Sequence, residues 1–278
     1  MDPLVNVDWL EENLKDPNLI ILDASPETNV SGLIAEYLGI QIKDARHFDL
    51  KNVFCDKESE IPNMIPNSEV FTEECQKLGI KNNSKIVVYD NLGIYTSPRV
   101  WWMFKVMGHE NITVLNGGLS AWKNKNLPCE STNNLYTNYQ KGDFTAFYNA
   151  DLVKDAQFLL HNIETKECLV IDARSKDRFY GETPEPRENM KSGHIPRSIN
   201  LPFEHVLKNG CYLPREDLKT IYKSLNINNE SLIFTCGSGI TACIVLLALE
   251  LISSNKKALY DGSWAEWGLL EDYPVQKI

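Results

Sequence analysis

The sequence predicts an α/β protein made of two tandem domains of one fold, each a parallel sheet with helices on both faces. Three observations support this prediction. Short apolar runs typical of buried strands alternate with helical stretches along the chain. The chain has 278 residues, more than a single domain usually contains. Three patterns of the first half also recur, in the same order, 145 to 149 residues later.

The recurring patterns are two apolar strands and one glycine-containing segment. A constant offset of this size indicates a duplicated domain rather than a solenoid repeat. Residues 127–142, between the two copies, are polar, rich in Asn and without periodicity, which is typical of a linker. We therefore expect an N-terminal domain over 1–128, a linker over 129–141 and a C-terminal domain over 142–278. The matching segments are 19–24 with 169–174, aligned at Asp23 and Asp172, 85–90 with 231–236, aligned at Asp90 and Cys236, and 116–122 with 261–267, aligned at Trp122 and Trp267.

Helix signals complete this α/β pattern in both halves. A short helix is predicted at 10–15, ahead of the first repeated strand. A longer helix is predicted from Arg99 to Met107, with Ser97 as N-cap and Gly108 as its stop. The apolar segment 242–252 takes the place of this helix in the second half. It is too short to span a bilayer and is predicted to be a buried core helix.

Composition limits the classes of ligand. The net charge of −10 argues against nucleic acid and anionic membranes as partners, so an anionic ligand would need a local cluster of arginines. Seven cysteines occur without CxxC or zinc-site spacing, which predicts a reducing compartment and argues against a disulfide frame or a structural metal. No cofactor is expected either. The N-terminus has no signal-peptide or transit-peptide pattern. We expect a cytoplasmic protein, with mitochondrial residence left open.

The segment around Cys236 predicts a reactive thiol. An apolar strand ends at Cys236, Gly237 and Gly239 follow, and a helix begins directly after them. A loop at a helix N-terminus collects free backbone N–H groups and the positive end of the helix dipole, which stabilise an anion such as a thiolate. The two glycines are expected to allow left-handed backbone that turns these N–H groups inward. The alternative is a small buried cysteine that only fills the core.

The first half carries Asp90 at the position that Cys236 holds in the second half. An aspartate cannot act as a soft nucleophile there. We therefore predict a supporting, non-catalytic N-terminal domain and one active site per chain.

These motifs resemble the tandem rhodanese family of sulfurtransferases, and the resemblance spans nearly the whole chain. Within the family, the loop Cys-Gly-Ser-Gly-Ile-Thr at 236–241 resembles the members that take sulfur from 3-mercaptopyruvate. Members that use thiosulfate instead carry Arg and Lys directly after the cysteine. The other motifs of the resemblance are Gly-His-Ile-Pro at 193–196, Ser-Pro-Arg-Val-Trp-Trp at 97–102 and Tyr-Asp-Gly-Ser-Trp at 260–264.

The resemblance implies a persulfide mechanism and a set of site residues. Cys236 would attack the sulfur of the donor, pyruvate would leave, and an acceptor thiol or cyanide would then remove the sulfur from Cys236. Thioredoxin or a low-molecular-weight thiol is the acceptor that the resemblance implies. Ser238 would assist by hydrogen bonding, its alternative role being a helix cap. The implied substrate-binding residues are Arg178, Arg187, Gly237, Gly239, Ile240 and Thr241, the last also a candidate cap.

The residue types give a physical reason for this choice of sulfur donor. Gly237 and Ser238 leave no cation in the loop, whereas the thiosulfate dianion would gain from one. A monocarboxylate needs only arginines, whose planar guanidinium grips a carboxylate through two hydrogen bonds. The alternative for Arg178 and Arg187 is simple pairing with surface glutamates of 182–188.

Three other functions are compatible with a cysteine at the start of a helix in this kind of fold. A cysteine phosphatase needs an arginine close after the cysteine, and Ala242 stands at that position, so this class is rejected. A thiosulfate:cyanide sulfurtransferase is the alternative enzyme. A non-catalytic binding module of the same fold is the alternative outside the enzymes.

The sequence departs from the family at three positions. Lys51 and Asn63 stand where some members have an acid and a histidine that are proposed to form a relay with the loop serine, so such a relay is not expected here. Arg197 follows Pro196 where glycine is usual. We expect a strained backbone or a shifted turn at Arg197, and a possible positive charge near the site.

Overall fold

The computed structural model describes residues 1–132 and 138–277 in two compact units. Unit 1 comprises Met1–Lys57, Ile65–Asn149 and Asn209–Tyr212. Unit 2 comprises Glu58–Met64, Ala150–Lys208 and Leu213–Ile278. Three short segments therefore belong to a unit other than the one that the predicted domain bounds give them: Glu58–Met64 lies in unit 2, and residues 142–149 and Asn209–Tyr212 lie in unit 1.

The predicted linker 129–141 lies within the bounds of unit 1. Its first residues form strand β7 (Cys129–Ser131), which pairs antiparallel with β3 (Ile40–Ile42). Residues 133–137 of this linker lie outside the described residues.

Unit 1 contains a five-stranded sheet in the order β1-β6-β5-β2-β4, and every neighbouring pair is parallel. The central strands are almost wholly apolar and buried, as strands covered on both faces require. The strands are β1 (Leu4–Val5), β2 (Leu19–Asp23), β4 (Arg46–His47), β5 (Lys85–Tyr89) and β6 (Ile112–Leu115), and β12 (Cys211–Tyr212) also lies in this unit. The helices are α1 (Val7–Asn13), α2 (Ser68–Lys77), α3 (Ser97–Val106) and α4 (Gly118–Asn124).

Unit 2 repeats this arrangement with a parallel sheet in the order β8-β14-β13-β9-β10. In this direction each strand takes the place of the corresponding strand in β1-β6-β5-β2-β4 of unit 1. The predicted duplication of one α/β fold is confirmed by the matching strand orders. The strands are β8 (Val153–Lys154), β9 (Cys168–Asp172), β10 (Ile199–Asn200), β11 (Leu207–Lys208), β13 (Ser231–Thr235) and β14 (Lys257–Tyr260). The helices are α5 (Ala156–Thr165), α6 (Lys176–Tyr180), α7 (Arg215–Ser224), α8 (Thr241–Glu250) and α9 (Ser263–Trp267).

Helix α8 is the predicted core helix, and its residues from Ala242 to Leu249 are all buried. A helix that is apolar on every side must be enclosed by protein, which fixes the position of the loop that precedes it. Over residues 1–132 and 138–277, no helix combines the length and the apolar character needed to cross a membrane.

Candidate active site

Cys236 lies in the loop between β13 and α8, at the carboxyl edge of the sheet of unit 2. Its side chain is buried, with 1% of the residue exposed. Gly239 adopts the predicted left-handed backbone, with φ of +75°. The prediction of a left-handed Gly237 is wrong, because its φ is not positive.

The start of α9 holds the backbone of this loop. The Cys236 amide donates to Ser263 Oγ at 3.2 Å, and Cys236 and Gly237 accept from the amides of Trp264 and Ala265 at 3.0 and 2.8 Å. The Tyr-Asp-Gly-Ser-Trp motif that contributed to the resemblance therefore has a physical role. It fixes the strand-to-helix turn that carries the cysteine.

Backbone N–H groups are available around this loop. Among the hydrogen bonds of the described residues, none uses the amides of residues 238–242 as donors. Such groups at the start of a ten-residue helix form a cradle for negative charge. The loop can therefore stabilise a thiolate, a persulfide or an oxyanion of a substrate.

Unit 1 fills the equivalent cradle with its own carboxylate. Asp90 is fully buried, and its Oδ2 accepts from the amides of Tyr95, Thr96 and Ser97 at 2.9, 3.0 and 2.9 Å and from Ser97 Oγ at 2.6 Å. These bonds also move the start of α3, whose N-cap is Thr96 and not Ser97 as predicted. These donors of unit 1 are therefore already bonded to a carboxylate of the chain itself, which is consistent with a supporting role for this half.

The guanidinium of Arg178 lies directly beside the Cys236 loop. A Cβ built on Gly237 would be 3.1 Å from Arg178 Nη2 and 3.8 Å from Nη1. Glycine at this position therefore gives the guanidinium room to approach the loop, which is the reason for Gly237 that the sequence did not reveal. Arg178 also pairs with a glutamate, Glu185, through Nη2 at 2.5 Å and Nε at 3.3 Å. The alternative interpretation of Arg178, pairing with a glutamate of 182–188, is therefore seen, while its role in substrate binding stays a prediction.

Glu185 belongs to a buried chain of four alternating charges that sequence reasoning missed. Its Oε1, which accepts from Arg178 Nε, also accepts from Arg174 Nη1 at 2.8 Å. Arg174 Nη2 in turn lies 2.6 Å from Asp172 Oδ2. The side chains of Asp172, Arg174 and Glu185 are each at most 1% exposed, whereas that of Arg178 is 20% exposed. Arg174 further lies 4.1 Å from the ring centroid of Trp264. These four side chains together have no net charge, and of the four only Arg178 reaches solvent.

Arg187 is half-buried, and no hydrogen bond or ion pair of the described residues involves it. The alternative interpretation of Arg187, pairing with a glutamate of 182–188, is therefore not seen among the described residues. Ile240 and Thr241 are also half-buried, at the loop end where α8 starts.

Ser238 is buried, with 5% exposed, and does not cap α8, whose N-terminus has no side-chain cap. Its hydroxyl instead accepts a hydrogen bond from Asn63 Nδ2 at 2.9 Å. Asn63 lies in the segment Glu58–Met64 of unit 2 and is 175 residues away in the sequence. Sequence reasoning could place Asn63 only by resemblance and gave it no role.

Arg197 has the strained backbone that the sequence predicts, with φ of +67°. Because it precedes β10 and the strands are parallel, it lies at the amino edge of the sheet, opposite to Cys236. It lines a cavity with Cys168 and Glu230 at that edge. The expectation that Arg197 contributes a positive charge near the Cys236 loop is therefore wrong.

His194 of the Gly-His-Ile-Pro motif ties its turn together, as expected. Its Nδ1 is 2.8 Å from the carbonyl oxygen of Phe179, and its ring stacks on that of Phe179 with centroids 3.9 Å apart. Burial lowers the pKa of His194, which favours the neutral imidazole. Within the described ranges, no three His, Cys, Asp or Glu side chains are placed to hold a metal ion.

Comparison with known proteins agrees with this geometry. The model of the rhodanese-like domain matches residues 6–125 and 155–269. The chain therefore belongs to the rhodanese family, in a form with two tandem domains.

Its full-length relatives are sulfurtransferases. The chain is 36% identical to thiosulfate/3-mercaptopyruvate sulfurtransferase 1, mitochondrial, of Arabidopsis thaliana, covering 100% of this chain and 79% of the relative. It is 34% identical to the 3-mercaptopyruvate sulfurtransferase of Escherichia coli K12, covering 99% and 98%. The crystal structure of the 3-mercaptopyruvate sulfotransferase SseA from Escherichia coli superposes with a TM-score of 0.82 at 32% identity, covering 96% of this chain and all of that one. Sulfur transfer is thus the reaction class of this chain.

Proposed function

We propose that the protein transfers the sulfur of 3-mercaptopyruvate to a thiol acceptor through a persulfide on Cys236. The observation that carries the choice of sulfur donor is the Arg178 guanidinium beside Gly237, next to a loop without a cation of its own. A guanidinium has five N–H groups, and Glu185 takes two of them. Three N–H groups remain, enough for a carboxylate and a neighbouring ketone oxygen.

The charges near the loop favour a monoanion. The buried chain from Asp172 to Arg178 is neutral, so it offers directed hydrogen bonds but little net field. Arg187 supplies the uncompensated positive charge in this proposal. A monocarboxylate fits this balance better than a thiosulfate dianion, which is the alternative donor.

The chemistry begins with the Cys236 thiolate, which the loop amides stabilise. It attacks the thiol sulfur of the bound 3-mercaptopyruvate, so that an S–S bond forms and the C–S bond breaks. The electron pair of the C–S bond passes to the carbon skeleton, which leaves as the enolate of pyruvate. The enolate takes up the proton of the former thiol, leaving pyruvate and a Cys236 persulfide anion. The transfer uses no external oxidant and gives double-displacement kinetics.

An acceptor thiol completes the cycle by attacking the outer sulfur of the persulfide. Thioredoxin or a low-molecular-weight thiol is the acceptor proposed here, and cyanide would serve in an assay. All seven cysteines are free, which suits a reducing compartment such as the cytosol or the mitochondrial matrix.

Steady-state kinetics with both sulfur donors test this proposal. Arg178→Ala and Arg187→Ala are expected to raise KM for 3-mercaptopyruvate, because each removes part of the carboxylate clamp. Arg197→Ala is the control, since this arginine lies at the opposite edge of the sheet. Unchanged KM in both clamp variants, or equal efficiency with thiosulfate in the parent protein, would contradict the proposed donor.

A further inference from the structure

The hydrogen bond between Asn63 and Ser238 has a defined direction. Asn63 Nδ2 lies 2.9 Å from Ser238 Oγ and 3.4 Å from the Ser238 carbonyl oxygen. A carbonyl oxygen can only accept, so the amide group that faces both atoms is the NH₂. Asn63 is therefore the donor, and Ser238 Oγ is the acceptor.

This direction leaves the proton of Ser238 for another partner. A serine hydroxyl has one O–H donor and two acceptor positions, and Asn63 uses one of the latter. No acceptor for this O–H occurs among the hydrogen bonds of the described residues. Because Ser238 is buried and two residues beyond Cys236, its O–H is a preorganised donor inside the loop.

The backbone shows how Asn63 reaches this position. Asn63 has φ of +63°, a left-handed conformation that Asn tolerates better than most residues. The segment Glu58–Met64 packs with unit 2, although it stands in the first half of the sequence. An amide side chain also has no proton to exchange near neutral pH, so it can orient the hydroxyl but cannot relay a proton.

We propose that Asn63 is a positioning residue that holds the Ser238 hydroxyl as a hydrogen-bond donor to the ketone oxygen of the sulfur donor. As the C–S bond breaks, negative charge grows on that oxygen in the pyruvate enolate. The Ser238 O–H stabilises this charge without losing its proton, and the Asn63 amide polarises the O–H in the same direction. The proposal rests on the proposed function, and it assigns Asn63 an effect only through Ser238.

A double-mutant cycle tests this dependence. Asn63→Gly removes the amide but keeps a residue that accepts positive φ, and Asn126→Gly is a matched control, an exposed Asn of unit 1 with φ of +57°. We expect kcat with 3-mercaptopyruvate to fall about tenfold in Asn63→Gly, with little change in KM, for the loss of one hydrogen bond. Ser238→Ala loses the donor itself and should cost about a hundredfold. The double variant Asn63→Gly/Ser238→Ala should be no slower than Ser238→Ala alone.

The pH profile gives a second readout. Asn63→His places an imidazole against the hydroxyl, so the pH profile of kcat should acquire a limb at about pH 6.5 that the parent lacks. The role of Asn63 would be overturned if Asn63→Gly lowered kcat by the same factor in the parent protein and in the Ser238→Ala variant. Superimposable pH profiles of the parent and Asn63→His would overturn it as well. A parent protein that does not turn over 3-mercaptopyruvate would instead refute the proposed function itself.

Discussion

Glu185 offers a way to change the choice of sulfur donor by one charge. It bridges Arg174 and Arg178, and its side chain is 1% exposed. Glu185→Gln keeps the shape and one acceptor oxygen but removes the negative charge. The four side chains of Asp172, Arg174, Gln at 185 and Arg178 then carry a net charge of +1 beside the Cys236 loop, whereas the four side chains of the parent protein have no net charge.

The size of the effect follows from the difference in charge between the two donors. Thiosulfate carries one more negative charge than 3-mercaptopyruvate. The positive charge that Glu185→Gln exposes and the extra negative charge of thiosulfate interact by about 3 kcal/mol if they are about 6 Å apart at an effective dielectric constant of about 20. Screening by salt and partial exposure to solvent reduce this energy to about 1.4 kcal/mol. The ratio of kcat/KM for thiosulfate to that for 3-mercaptopyruvate should therefore rise about tenfold.

The assay measures kcat/KM for both donors, with cyanide as the common acceptor. Glu182→Gln is the matched control, because Glu182 is exposed and stands three residues earlier. Thermal melting of each variant verifies that the protein is folded, since the change also weakens a buried ion pair. A donor ratio that stays constant or falls in folded Glu185→Gln would refute the electrostatic argument for a monoanionic donor.

Three further changes test other parts of the account. Asp90→Ala should lower the free energy of unfolding by roughly 3–5 kcal/mol in denaturant titration, because it leaves buried amide donors of unit 1 unpaired. Cys236→Ala should lower it much less, and similar losses in the two variants would contradict this contrast. Burial lowers the pKa of His194, so on acidification the unfolded state binds a proton before the folded state does. The free energy of unfolding should therefore fall as the pH drops below about 6.5, and it should fall less in His194→Gln. Equal slopes of the free energy of unfolding against pH in the two proteins would contradict this role of His194. Arg197→Gly should raise the free energy of unfolding by about 0.5 kcal/mol by relieving left-handed strain, with unchanged kcat, whereas a loss of activity would place Arg197 near the site after all.

The sequence predicted the features that depend on local pattern. The duplicated strands and the glycine-flanked Cys236 ahead of an apolar helix are written in short segments, and the structure has them in the two sheets and in the loop before α8. The Asp90 position also follows from the repeat. Its carboxylate occupies the cradle that Cys236 lines in unit 2.

Features that depend on long-range pairing could not be predicted. Glu185 looks like one surface acid among several, and only the fold shows that it is buried between two arginines. Arg174 had one usable signal, its place directly after the repeated buried strand β9. The contact of Asn63 with Ser238 joins residues 175 apart, so no local pattern contains it. Gly237 lies at the loop as the sequence predicts, but its role is to leave space for Arg178, a contact between distant residues that no local pattern reveals.

The most direct test of the account is the intact mass of the purified protein after brief exposure to 3-mercaptopyruvate. A parallel sample receives thiosulfate, and Cys236→Ser is treated in the same way. The parent protein should gain one sulfur atom from 3-mercaptopyruvate and little from thiosulfate, and the Cys236→Ser variant should gain none. A parent protein that gains no sulfur from 3-mercaptopyruvate, or a Cys236→Ser variant that still gains it, would show that Cys236 does not carry the transferred sulfur.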